Sequence, residues 1–112
     1  MERRRVVITG LGAVTPIGLT AKESWQAAKD GVCGIAPITQ FDPTGMKVHL
    51  AAEVKGFEPE NYMGKPEAKR MARFTQLAVV SAQEAMADAG FTLDEAEADR
   101  CGVIVSSGIG GL

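Results

Sequence analysis

The side chains able to carry covalent or acid–base chemistry are few: Cys33, Cys101 and the single histidine, His49. A nucleophilic thiol needs a lowered pKa or a neighbouring base. Neither cysteine sits in a Cys-x-x-Cys pair, and nothing near His49 completes a base-and-nucleophile pair. Cys33, between Val32 and Gly34, is expected to be exposed. Cys101 opens an apolar run and is expected to be buried as a small hydrophobe. One histidine and two scattered cysteines have no metal-site spacing, so no metal and no cofactor are called for.

Two glycine-rich stretches and one basic stretch remain. "GLGAVTPIG" has Gly10 and Gly12 of a dinucleotide fingerprint, but Thr15 stands at its third glycine position. Pro16 and Gly18 then delay the next helix, so no helix N-terminus meets the turn, and a structural turn is the better reading. Lys65, Lys69 and Arg73 recur every fourth residue, with Arg70 beside Lys69. On one helix they would form a cationic face able to steer an acidic partner. A solvated helix face is the commoner meaning of such a run. Gly108-Ile109-Gly110-Gly111 follows an apolar run and sets one bulky side chain among mobile glycines.

The elements that must position these residues can be read from periodicity. Val6–Thr9 is short, β-branched and apolar, as in a buried strand. Thr20 and Glu23 form a capping box that opens a helix bearing Trp25 and Ala28, and Gly31 closes it. Residues 31–47 read as a loop. Between Val48 and Lys55 the residues alternate, placing Val48, Leu50, Ala52 and Val54 on the inner face of a half-buried strand and His49 on the outer one. A short basic helix begins at Pro66 and runs to about Ala72. A longer helix, Phe74–Ala89, is stopped by Gly90; being apolar nearly all round, it is expected to be buried. Thr92–Arg100 is an acidic connection holding one helical turn. A final strand, 102–106, enters the last glycine loop. Strands joined through helices imply an α/β layer architecture.

Apolar residues make up 46% and charged residues 23%, with a net charge of −2. This balance is that of an ordinary globular chain and argues against a dedicated nucleic-acid binder. The opening Met1-Glu2-Arg3-Arg4-Arg5 leads into too short an apolar run for a secretory signal. No stretch has the length of a membrane span. Cysteine usage without an export signal fits the cytoplasm, with both thiols free.

Taken together, "RRVVITGLGAVTPIG", "SWQAAKDGVCGI", "HLAAEVKGF", "KRMARFTQLAVVSAQEAMADAG" and "GVIVSSGIGGL" resemble, in order, the N-terminal region of the β-ketoacyl-acyl carrier protein synthases. The elongating synthases of bacterial type II fatty acid synthesis are the most similar, with polyketide ketosynthases sharing much of the pattern. Ala72 and Asp30 depart from residues common at those positions, and neither touches the chemistry.

The resemblance implies a thiolase-like fold, αβαβα in the whole enzyme, of which residues 1–112 are a truncated part of the N-terminal half. It implies a homodimeric acyltransferase that condenses an acyl thioester with malonyl-acyl carrier protein, with loss of carbon dioxide. The nucleophilic cysteine and two histidines of that chemistry lie beyond this segment, so no catalytic residue is carried over. The family likeness instead favours Lys65, Lys69 and Arg70, flanked by Arg73, as the docking patch for acyl carrier protein. It makes Gly108, Ile109, Gly110 and Gly111 a wall of the acyl pocket, with Ile109 as its gate. Alone, such a fragment is expected to be inactive and poorly soluble or partly molten, since half a sheet leaves an unpaired edge. A non-catalytic module that binds carrier protein is the alternative from another class.

Overall fold

The computed structural model describes residues 3–111; Met1 and Glu2 of the basic opening, and Leu112, lie outside the described residues. In order, α1 spans Ala21–Lys29, β1 Ile35–Pro37, β2 Leu50–Ala52, a 3-10 turn Pro59–Asn61, α2 Lys65–Ala68, α3 Arg73–Ala89 and α4 Glu95–Ala98.

The helix boundaries follow local chemistry. Thr20 Oγ1 accepts the Glu23 N–H at 3.1 Å, while Glu23 Oε2 accepts the Leu19 N–H at 2.9 Å. The Glu23 carboxylate thus reaches back one residue beyond the partner of an ordinary capping box. Gly90 adopts φ +60° and ends α3 as a left-handed cap. Asp94 caps the single turn α4 through the Glu97 N–H at 2.8 Å. In α1 the half-buried residues are Ala21, Ser24 and Ala27; Trp25 and Ala28 face outward, with Lys29 lying over the indole at 5.9 Å.

The strands depart from the sequence reading. β1 lies inside the segment expected to be a loop and pairs antiparallel with β2, with Ile35 opposite Ala52 and Pro37 opposite Leu50. Of the run 48–55, only Leu50–Ala52 joins this ladder. The expected faces hold only in part: Val54 is half-buried against the core and His49 and Lys55 are exposed, but Val48, Leu50 and Ala52 are exposed whereas Ala51 and Glu53 are half-buried. Val6–Thr9 and 102–106 form no ladder among the described residues. Val6 is 91% and Ile104 97% exposed. The residue types favour strand, but a strand is held by hydrogen bonds to a neighbour, and none is within reach here. Cys101, expected to be buried at the start of that strand, is exposed for the same reason.

Packing centres on Phe57, Met63, Ala68 and Val80, the buried apolar residues among those described, with Val14, Leu19, Val54, Met71, Leu77 and Val79 against them. In α3 only Val80 is buried, so the helix expected to be enclosed is covered on one side. The radius of gyration is 17.3 Å, against about 13 Å for a compact domain of this length. The molecule is open, with apolar faces unfilled.

Glu53 ties the β1 end to β2: it accepts from Thr39 Oγ1 at 2.7 Å and from the Thr39 and Gln40 backbone N–H groups. The Thr39 hydroxyl, first, holds its carboxyl below the ordinary value of 4.5. A lowered folded-state pKa means that the clasp contributes fully above the unfolded value and is lost as pH falls through the folded one. An NMR titration of Glu53 should therefore give a midpoint below 4.5, moving back up in Thr39→Val. An identical midpoint in both proteins would refute the clasp.

Candidate functional site

The "GLG" turn is explained by its packing on α3. A Cβ on Gly10 would stand 2.6 Å from the Ala89 nitrogen, and one on Gly12 2.7 Å from that of Ala85. The Leu11 N–H donates to Asp88 Oδ2 at 2.9 Å, and the Ala13 N–H to Glu84 Oε2 at 2.8 Å. Glu84 Oε1 also accepts the Ala21 N–H at 2.9 Å, joining the turn to the start of α1. Backbone donors that would meet a pyrophosphate are already satisfied by two carboxylates, whose charge opposes a phosphate. Glu84 and Asp88 are functional to the fold and were not singled out from the sequence. Their four-residue spacing on one helix face was the available signal.

The basic residues separate into two kinds. α2 ends at Ala68, and Ala72 takes φ −66°, ψ 154°, so α3 starts anew at Arg73. The four-residue spacing therefore does not lie on one helix, which corrects the single cationic face. Beyond the backbone break Arg73 stays exposed but lies along the protein surface: its Nη2 donates to the Val54 carbonyl at 3.0 Å. Its guanidinium also lies 5.6 Å from the centroid of Phe57, which in turn stacks on Tyr62 at 5.5 Å. Lys65 pairs with Glu60 at 3.3 Å in an exposed bridge, worth less than about 1 kcal/mol. Lys69 and Arg70 are exposed and, among the described residues, have no carboxylate within ion-pair distance.

The last glycine loop folds back onto the α3 start. Gly110 has φ +78°, and its N–H donates to Ser107 Oγ at 2.9 Å. A Cβ on Gly111 would meet Ala72 Cβ at 3.0 Å and Phe74 Cε1 at 3.2 Å. Beside this loop, Phe74, Ala78, Val79 and Ala82 of α3 face Val103, Val105 and Ser107 across a groove of about 580 Å³. Its wall is mainly apolar, as a lipid chain requires. Ile109 is 77% exposed and does not line the groove. Gly108 is likewise exposed.

Cys33 and Cys101 are both exposed, and His49 is exposed at the edge of β2, where its carbonyl accepts the Ile38 N–H at 3.0 Å. The structure brings none of these three together with a catalytic partner. Among the described residues no group of His, Cys, Asp and Glu has the arrangement of a metal site, and no helix is long and apolar enough to cross a membrane.

Known proteins share both the sequence and the geometry. The chain is 50% identical over 111 residues to "3-oxoacyl-[acyl-carrier-protein] synthase 2" of Staphylococcus aureus (strain COL), covering 99% of this chain and 27% of that protein. It is 46% identical over 112 residues to the protein of the same name from Synechocystis sp., again covering 27% of it. The chain thus spans about a quarter of the length of these relatives. A solved structure, "The ishigamide ketosynthase/chain length factor", superposes with a TM-score of 0.73 at 40% identity, over 81% of this chain and 23% of that one. The fold is therefore the corresponding part of the thiolase-like α/β fold of ketosynthases. The sequence pattern of "Beta-ketoacyl synthase, N-terminal domain" runs through residues 3–112, and the chain belongs to that family.

Proposed function

We propose that this segment serves an elongating β-ketoacyl-acyl carrier protein synthase of fatty acid synthesis, and that its own part is to dock carrier protein and wall the acyl pocket. The observation that carries this reading is the 50% identity, over 99% of the chain, to a relative named as such a synthase. Polyketide ketosynthase is the second reading, favoured by the 40% identical solved structure; the higher identity to the synthases places it second.

In the whole protein a cysteine thiolate accepts the acyl group, and its carrier thiol leaves. Malonyl-acyl carrier protein then loses carbon dioxide. The electron pair released attacks the acyl thioester carbon, forming the new carbon–carbon bond and expelling the cysteine thiolate. Such chemistry needs an activated thiol and donors aimed at developing negative charge. Cys33, Cys101 and His49 stand apart, exposed, and supply neither. Two features of the segment suit its supporting part. Lys69 and Arg70 present unpaired positive charge to an acidic carrier protein. The apolar groove beside α3 suits an acyl chain, and Gly108 and Gly110 free Ile109 to swing across its mouth. The uncovered apolar segments Val6–Thr9 and 102–106 fit a sheet completed by the rest of the protein, which we take to be a cytoplasmic homodimer.

The test is condensation of an acyl thioester with malonyl-acyl carrier protein, measured through the carbon dioxide released. The whole protein should turn over, and residues 1–112 alone should not. Cys33→Ser and Cys101→Ser should each leave whole-protein turnover within about twofold, because an exposed thiol without a base is not the nucleophile. Loss of turnover in either variant, or turnover by the segment alone, would overturn the assignment.

A further inference from the structure

Lys69 and Arg70, exposed and without an ion pair among the described residues, occupy a stretch with little intrinsic order. α2 is a single turn, far below the length at which a helix holds itself in water. Its last carbonyls lack helical partners, as at any helix C-terminus. One side chain compensates. Gln76, half-buried in the first turns of α3, donates from Nε2 to the Ala68 carbonyl at 2.8 Å and to the Met71 carbonyl at 3.4 Å. Ala68 is itself buried, at 5% exposure, whereas Lys69 and Arg70 are exposed. A single amide therefore grips the chain on both sides of the cationic pair. The Met71 N–H contributes a long bond of 3.3 Å to the Ala68 carbonyl, so the Gln76 bond is the shorter of the two it accepts.

We propose that Gln76 is a positioning residue for docking: by clamping the Ala68 and Met71 carbonyls it fixes the direction in which Lys69 and Arg70 meet an acidic partner. This rests on the docking reading above. The amide suits the task because its NH₂ group carries two donors, one for each carbonyl. It also adds no charge beside the cations. Arg73 cannot replace it, since that guanidinium is committed to Val54 and Phe57.

The experiment is a double-mutant cycle in the whole protein, with acyl carrier protein as the probe. Gln76→Met keeps the side-chain length and removes both donors. It should weaken the carrier-protein Kd about fivefold in the parent, but less than about twofold when Lys69→Ala and Arg70→Ala are already present. Amide exchange of Arg70 and Met71 should quicken while the Ala82–Met86 amides of α3 keep their protection. Gln76→Asn, one methylene too short to reach, should act in the same direction and serves if the methionine variant does not fold. An equal loss in both backgrounds, or no loss in either, would overturn the positioning role alone. If Lys69→Ala with Arg70→Ala left Kd unchanged, the docking reading itself would fall.

Discussion

Gly12→Ala should destabilise the fold by about 3 kcal/mol or more, near the top of the range for overpacking. A Cβ there would press on the Ser81 carbonyl oxygen and stand 2.7 Å from the Ala85 nitrogen. Both are α3 backbone atoms, which cannot rotate aside as a side chain would. The turn must then lift off the helix. Lifting also breaks the exposed Leu11–Asp88 and part-buried Ala13–Glu84 hydrogen bonds, whose net contribution is about 1 kcal/mol each at most where water can take the partner's place. The urea unfolding midpoint of the whole protein is the measurement. Gly31→Ala is the comparison: unlike Gly12 it carries a positive φ, +70°, and it has open space around it. Its cost should be the smaller one of backbone conformation alone, about 1 kcal/mol. Equal midpoints for the two variants would refute the close-approach account.

Reversing the charge of the free cations should have the largest effect on function. With Lys69→Glu and Arg70→Glu combined, the KM for acyl carrier protein is expected to rise about 100-fold, since like charges facing across an interface cost several kcal/mol. The kcat at saturating carrier protein should change little, because neither side chain reaches the reacting atoms. The difference between parent and variant should shrink as salt is raised, as exposed charges are screened. Lys65→Glu should do less, because Lys65 already faces Glu60. Arg73→Glu should act on stability instead, by removing the Val54 and Phe57 contacts. A salt-independent fall in kcat, with KM unchanged, would sink the docking assignment for Lys69 and Arg70.

Much of the fold was legible because it is local. Thr20 and Glu23 announce the start of α1 and Gly90 the end of α3, each through hydrogen bonds or dihedral angles spanning a few residues. The family could be read for a related reason: ordered motifs spread along the chain carry far more information than any one loop. What failed was non-local. Val6–Thr9 and 102–106 have strand-forming residues, but a ladder depends on a neighbour that residue types do not reveal. Alternation puts Leu50 and Ala52 of β2 on the inner face, but there Ala51 and Glu53 are the half-buried residues, and only Val54 beyond the ladder packs as alternation predicts.

The same division runs through the candidate site. From the sequence alone came the soluble-type composition, the helix punctuation, the absence of a catalytic constellation, and the resemblance that singles out the basic stretch and the last glycine loop. Only the tertiary structure decided which cations are available. A periodic sequence places Lys65, Lys69 and Arg73 on one face, but the extended backbone at Ala72 breaks that period and turns Arg73 onto Phe57. It alone also showed that Gly10 and Gly12 seat a turn against a helix, and that Gln76 bonds the Ala68 and Met71 carbonyls from another element. The physical reason is common to all three: spacing predicts neighbours only within one regular element, and each of these contacts joins two.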